Sequence, residues 1–248
     1  LNPPSTSDGN AAERIHFYGR RKGKALNVGR RSLLDTLLPD VRISVPGTDG
    51  SVPGTDQIID PHTFFPKAPS GVRMEIGFGS GEHLAAQAKD NPDIGFIGCE
   101  VFLNGVASLL RYVAQDNLTN VRIFDNDVRH LLPRIQSASL TRVSLLFPDP
   151  WPKTRHAKRR FVSPAMLDEM ARLLVDGGEL RVASDHPVYQ EWTLLHATVH
   201  PAFRWQARRP DDWRTRPDDS IATRYEEKAL AAGRTPVFMN FTRAPRGA

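Results

Sequence analysis

Five short apolar runs, at 72–76, 94–99, 121–124, 143–147 and 179–183, punctuate the middle of the chain, each four to six residues long. That is the length of buried strands. The stretches around 84–88, 103–114, 128–135, 163–175 and 188–199 carry apolar residues at helical spacing instead. Ser163 and Pro164 predict an N-cap and a first-turn proline, and Gly177-Gly178 predicts the stop of that helix. Strands alternating with helices predict an α/β fold with a parallel sheet. Toward the end the pattern changes: 203–207 and 237–241 read as two strands joined by a long polar segment. A segment of that length in a compact domain is functional or disordered. Ahead of the first strand, Leu33, Leu34, Leu37 and Leu38 predict a short amphipathic helix that Pro39 ends. The copies Val45-Pro-Gly-Thr-Asp and Val52-Pro-Gly-Thr-Asp read as a loop expansion, and residues 1–13 as a disordered tail.

Composition narrows the function class. With 248 residues and 40% hydrophobic content, the chain can build one large domain or two small ones. No apolar stretch approaches the roughly 20 residues of a membrane helix and no leader opens the chain, so a cytoplasmic protein without a membrane partner is expected. Cys99 is the single cysteine and lies in an apolar run, which excludes an internal disulfide and predicts a buried, inert thiol. The net charge is +5 and the pI about 9.6. The cations cluster at His16 to Lys24 and Lys153 to Arg160, which points to a polyanionic partner.

The chemistry gathers at the predicted strand ends. Gly77, Glu100, Asp127, Asp149 and Asp185 fall at or just past the five of them, where open α/β sheets bind ligands. The first strand runs into Glu75-Ile-Gly77-Phe-Gly79-Ser-Gly81, a G-x-G-x-G loop that differs from the dinucleotide G-x-G-x-x-G spacing. Glu100 lies about 20 residues beyond it, where nucleoside-binding folds place an acid on ribose hydroxyls. Asn126 and Asp127 can meet an adenine edge. Three acids would repel phosphate, and the chain has no G-x-x-x-x-G-K-[S/T] loop, so a nucleoside ligand without phosphates is expected. S-adenosylmethionine fits, because its sulfonium and amino groups are cationic. The fourth strand ends in Phe147-Pro-Asp149-Pro-Trp151-Pro-Lys153, a proline-stiffened turn that holds out one carboxylate and one indole ahead of a basic stretch. His156 has no second ligand candidate beside it, so no metal site is expected.

These motifs together resemble the bacterial tRNA (guanine-N7)-methyltransferases. The likeness rests on Glu75-Ile-Gly-x-Gly-x-Gly, Gly98-x-Glu100-Val101, Asn126-Asp127, the 147–153 turn with Arg155-His156-x-Lys-Arg-Arg160, Ser184-Asp185 and Thr223-x-Tyr225-Glu226. It covers about residues 71 to 241, and the Arg20-Arg21-Lys22-Gly23 arm matches as well. The duplicated 41–66 segment and the Pro after Trp151 depart from it. The resemblance implies a class I methyltransferase fold, Rossmann-like, with a mostly parallel twisted sheet and helices on both faces. It divides the chain into the 1–13 tail, a basic arm and lid over 14–70, and a methyltransferase domain over 71–248. It implies a cofactor site at Glu75, Gly77, Gly79, Gly81, Glu100, Asn126, Asp127 and Asp149. Substrate contacts are implied at Lys153, Asp185, Thr223, Arg224, Tyr225 and Glu226, and a variable-loop guanine of tRNA as target. Asp149 is then the catalytic group, by electrostatics and orientation. An exocyclic-amine methyltransferase is the alternative, since Asp-Pro-Trp resembles the Asp-Pro-Pro-aromatic loop of those enzymes. No obligatory protein partner is evident, and a monomer or a homodimer is expected.

Overall fold

The computed structural model describes residues 19, 21–45 and 57–247. The expected 1–13 tail, His16 to Tyr18, Arg20 and the 46–56 part of the duplicated segment lie outside the described residues.

One seven-stranded sheet organises the chain. Its strands are β1 (Gly71–Ile76), β2 (Ile94–Cys99), β3 (Val121–Phe124), β4 (Leu140–Leu146), β5 (Leu174–Ser184), β6 (Phe203–Trp205) and β7 (Val237–Arg243). The order is β3-β2-β1-β4-β5-β7-β6, with the first five strands parallel and β7 antiparallel to both β5 and β6. The parallel part is what the alternation predicts, and the whole is the mostly parallel Rossmann-like sheet that the resemblance implies. The carboxyl ends of all five parallel strands therefore lie along one edge.

The helices are α1 (Val28–Thr36), α2 (Leu38–Val41), α3 (Glu82–Asp90), α4 (Leu103–Asp116), α5 (Pro164–Leu173), α6 (Pro187–Ala197), α7 (Asp211–Arg214) and α8 (Arg224–Ala231). Two cores hold them to opposite faces of the sheet. One joins Leu84, Val106, Leu109 and Leu110 to Phe96 and Ile123, with Leu38 and Val41 of α2 added. The other joins Met74, Ile97, Val143 and Val182 to Leu167 and Tyr189. Ile43, Val45 and Phe65 belong to this second core, so part of the segment ahead of β1 is built into the fold. Cys99 is buried there too, and desolvation pushes its thiol well above the ordinary range.

Several boundaries differ from the periodicity, each for a local reason. Pro39 does not end a helix: α1 stops at Thr36, and Pro39 sits in the first turn of α2, where its missing N–H costs nothing. Gly177-Gly178 does not stop a helix either. α5 ends at Leu173 and β5 runs straight through the glycines, with Gly177 at φ +79° and a register shift against β4 between Leu140 and Arg142. The pair absorbs an irregularity that a side chain at positive φ would resist. Residues 128–135 form two 3-10 turns, Val128–His130 and Leu132–Arg134, rather than a helix. The polar segment before β7 holds α7 and α8. The cap at Ser163 is as expected, its side chain accepting from the Met166 N–H.

Candidate active site

The glycine loop after β1 is held from two sides. Gly77, Gly79 and Gly81 have φ of +70°, +58° and +80°, a region that favours glycine. From one side, Gly105 of α4 approaches so closely that a Cβ there would lie 2.2 Å from the Gly79 carbonyl oxygen. From the other, the Glu100 carboxylate accepts the Gly79 N–H at 2.9 Å. It also accepts from the N–H groups of Val101 (2.8 Å) and Phe102 (2.9 Å). Burial raises the Glu100 pKa, against these three hydrogen bonds, and the nearby Asp149 charge raises it further. Nothing lies within 4 Å of where a Gly77 Cβ would stand, so space is open beside Gly77.

The other acids of the first three strand ends have partners. Glu75 is buried and meets His83 Nδ1 of α3 at 2.7 Å. Burial works to lower the His83 pKa, but the Glu75 charge and hydrogen bond outweigh it and leave it raised. Asp127 is buried and caps the 128–130 turn, accepting the Arg129 N–H at 3.0 Å and the guanidinium Nη2 at 2.6 Å. Burial pulls its pKa up and the Arg129 contacts, which prevail, pull it down. Asn126 Oδ1 accepts from Arg21 Nη2 at 2.7 Å. The basic arm thus lies at the rim of the crevice. Its Arg21 carbonyl accepts the Leu103 N–H at 2.9 Å, and Asn104 bonds both the Gly23 N–H (2.9 Å) and the Lys24 carbonyl (2.8 Å).

Asp149 is exposed on the turn after β4. The turn begins at Phe147, whose N–H donates to the Ala183 carbonyl of β5 at 2.8 Å. Phe147 and Trp151 both take positive φ, +51° and +41°, an unfavourable region for bulky side chains. Trp151 is half-buried, with the Arg159 guanidinium 4.8 Å from its ring centroid and His156 edge-on at 5.8 Å. Desolvation and then the charges of Arg159, Arg155 and Lys153 lower the His156 pKa. Lys153, Arg155 and Lys158 are exposed. Arg160, read from the sequence as a phosphate contact, is instead buried against the turn.

Thr223 to Glu226 dock onto the glycine loop from above. Thr223 is the N-cap of α8, accepting the Glu226 N–H at 3.1 Å, half of the capping box its spacing suggests. Glu226 does not return the bond: its buried carboxylate takes Arg216 Nε at 3.1 Å. The Arg224 N–H donates to Glu82 Oε1 at 2.9 Å, which joins the start of α8 to the start of α3. Tyr225 lies over Gly79, 3.0 Å from where a Cβ would stand. Burial and then the charges of Glu100, Asp149 and Glu82 raise its pKa, so its ring stands among the acids of the crevice. Asp185 does not cap α6; His186 does, its Nδ1 accepting the Val188 N–H, while Asp185 pairs with Arg234 at 2.5 Å. Between the sheet and residues 217–226 lies a small, partly open pocket lined by Ser144, Phe147, Arg181, Ser220, Thr223 and Glu226.

Sequence reasoning missed Gly105, the role of Arg160, and Asp219. Asp219 is no solvated loop acid. It pairs with Arg142 (3.0 Å) and Arg181 (2.6 Å) on the sheet face, where both also meet Glu179 (2.6 and 3.0 Å). The strands offer one signal, since Arg142 and Arg181 lie next to the apolar Val143 and Val182 of β4 and β5, and cations placed within a sheet require partners. Among the described residues, no helix is long and apolar enough to cross a membrane, and no three His, Cys, Asp or Glu side chains converge to hold a metal ion.

A protein-family profile described as "Putative methyltransferase" matches residues 70–239. A "tRNA (guanine-N(7)-)-methyltransferase" of Rhodospirillum rubrum is 51% identical over 236 residues, covering 95% of this chain and 91% of its own. One with the same name from Paramagnetospirillum magneticum is 52% identical over 237 residues, covering 95% and 96%. The chain belongs to the tRNA (guanine-N7)-methyltransferase family. Among solved structures, the 16S rRNA methyltransferase KamB superposes with a TM-score of 0.54 at 15% identity, over 71% of this chain and 89% of its own. The antibiotic-resistance methyltransferase Kmr reaches 0.50 at 16% identity, over 82% and 99%. These two likenesses establish the class I methyltransferase fold.

Proposed function

We propose that the protein transfers a methyl group from S-adenosylmethionine to N7 of a guanine in the variable loop of tRNA, with Asp149 as its catalytic residue. The observation that carries this reading is an exposed carboxylate on a braced turn, between the crevice of Glu100 and the pocket beneath Thr223.

The crevice residues fit the cofactor. Open space beside Gly77 leaves room for it, and a carboxylate has about four acceptor sites, so Glu100, with three of them taken by N–H groups, keeps one for a ribose hydroxyl. Asn126 and Asp127 would meet the adenine edge, and Gly77, Gly79 and Gly81 would let the backbone approach. Glu75, engaged by His83, fixes the end of β1 beneath the loop. When bound, S-adenosylmethionine supplies an electrophilic methyl group on a sulfonium.

Guanine N7 carries a lone pair and no proton, so the protein needs no general base. What it must do is hold the base in line and stabilise the positive charge that develops on it. Asp149 does both, and its charge counts for more against the cationic transition state than against neutral guanine. Lys153 and Asp185 meet the substrate beside it, and Thr223, Arg224, Tyr225 and Glu226 form the wall that closes over the base.

The test is mass spectrometry of tRNA nucleosides after incubation with enzyme and labelled cofactor. N7-methylguanosine is expected, whereas label on an exocyclic amine would support the alternative reading. Asp149→Asn keeps shape and removes charge. Its single-turnover rate at saturating cofactor and tRNA should fall on the order of a hundredfold, with tRNA affinity little changed. The parent's rate should be flat from about pH 6.5 to about pH 9, because N7 has no proton for a base to remove. A rate for Asp149→Asn within about threefold of the parent would make the turn a scaffold.

A further inference from the structure

We propose that Arg160 is a positioning residue for Asp149 and not a tRNA contact. The inference rests on the catalytic reading of Asp149. Its neighbours Lys158 and Arg159 stand in the basic stretch, but Arg160 is only 7% exposed. Its guanidinium turns inward. Nε donates to the carbonyls of Pro150 (3.2 Å) and Trp151 (3.3 Å), and Nη2 donates to Trp151 again at 3.0 Å. Its other face stacks on Trp192 of α6, 4.5 Å from the ring centroid. Trp192 is fixed in turn, its Nε1 donating to the Val162 carbonyl at 2.7 Å.

The turn needs a brace from outside. Prolines at 148, 150 and 152 remove three of the seven N–H groups of residues 147–153, so the turn has few donors with which to close on itself. Trp151 at φ +41° sits in a region unfavourable for a bulky side chain, which persists only where surroundings enforce it. The Phe147–Ala183 hydrogen bond fixes one end. Arg160 fixes the other, through the carbonyls of the two residues that follow Asp149. A planar fork reaches both carbonyls at once, which a single ammonium cannot reproduce.

The fork is what separates positioning from phosphate binding. A phosphate contact needs charge, so Arg160→Lys would preserve it and Arg160→Gln would reduce the salt slope of tRNA binding. If Arg160 positions Asp149, both variants lower the single-turnover rate about tenfold to a hundredfold, with tRNA affinity and its salt slope unchanged. Cofactor affinity, read by calorimetry, reports that each variant is folded. A rate for Arg160→Lys within about threefold of the parent overturns the proposal, as does a loss confined to tRNA affinity.

Phenylglyoxal modification of the unaltered protein, mapped by mass spectrometry, gives an answer that no folding defect can obscure. Arg160 should stay unmodified with or without tRNA, and modification that tRNA blocks would mark it as a phosphate contact. Asp149→Asn is measured alongside. If that variant stays active, the catalytic reading fails. If it is inactive while Arg160→Lys is active, only the positioning role fails.

Discussion

A single hydrogen atom in place of a methyl group decides whether α4 can reach the glycine loop. The Gly105 Cα stands against the Gly79 carbonyl, and a Cβ at 2.2 Å from that oxygen has a backbone atom to displace, not the end of a flexible side chain. Overpacking of this kind costs about 1 to 3 kcal/mol. Gly105→Ala should therefore weaken cofactor binding in calorimetry by about five- to a hundredfold, at a smaller loss in thermal stability; an unchanged affinity would place the cofactor away from this loop. At the same scale, the sequence was legible wherever a residue's place follows from a motif: the glycine loop after β1, and Glu100, Asp127 and Asp149 just past strand ends. It was opaque where the role depends on a distant partner. Nothing near Asp219 announces that two arginines wait for it on other strands, and Arg160 sits in a run of cations that all look alike until the fold turns one inward.

Elements meet the site through two charged contacts, each with a measurable signature. His83 on α3 and Glu75 on β1 form a buried pair, faced also by Arg142 and Arg181. The folded-state pKa of His83 is raised above its ordinary 6.5, so the folded protein binds that proton more tightly than the unfolded chain. The stability this gives is fully present below pH 6.5 and is lost as pH rises through the raised value. Melting temperatures of the parent should fall as the pH rises above about 6.5, and His83→Gln should flatten that dependence; equal slopes would show that the pair does not titrate there. The second contact ties the segment between β6 and α8 to the sheet through Asp219. Asp219→Ala leaves Arg142 and Arg181 to share Glu179. Because about half of the Asp219 side chain faces water, the cost should be about 1 to 2 kcal/mol, below that of a fully buried pair. Faster limited proteolysis between β6 and α8 is the expected sign.

Across the whole molecule, the parallel order of the first five strands was readable because each apolar run is short and each is followed by helical spacing. The last two strands were readable as strands but not as an antiparallel pair. Their connection holds helices too short or too polar to register as periodicity, and tertiary packing fixes them. The basic surface belongs to this scale too. With Arg160 turned inward, Lys153, Arg155 and Lys158 are the exposed cations of the 153–160 stretch, and under the proposed function they are the ones offered to tRNA phosphates. Replacing all three by alanine should reduce the slope of log K against log salt by about 0.7 to 0.9 per lost contact, and a salt-independent parent affinity would remove tRNA phosphates from the account.

The burial of Cys99 has a practical side. The chain carries one cysteine in 248 residues, 2% exposed, with a thiol held away from its reactive anionic form. Maleimide reagents should therefore leave the native protein essentially unlabelled. A cysteine introduced at an exposed position of α8, such as Leu230, would then carry the whole signal, and a fluorophore there would report whether α8 shifts against the glycine loop when cofactor or tRNA binds.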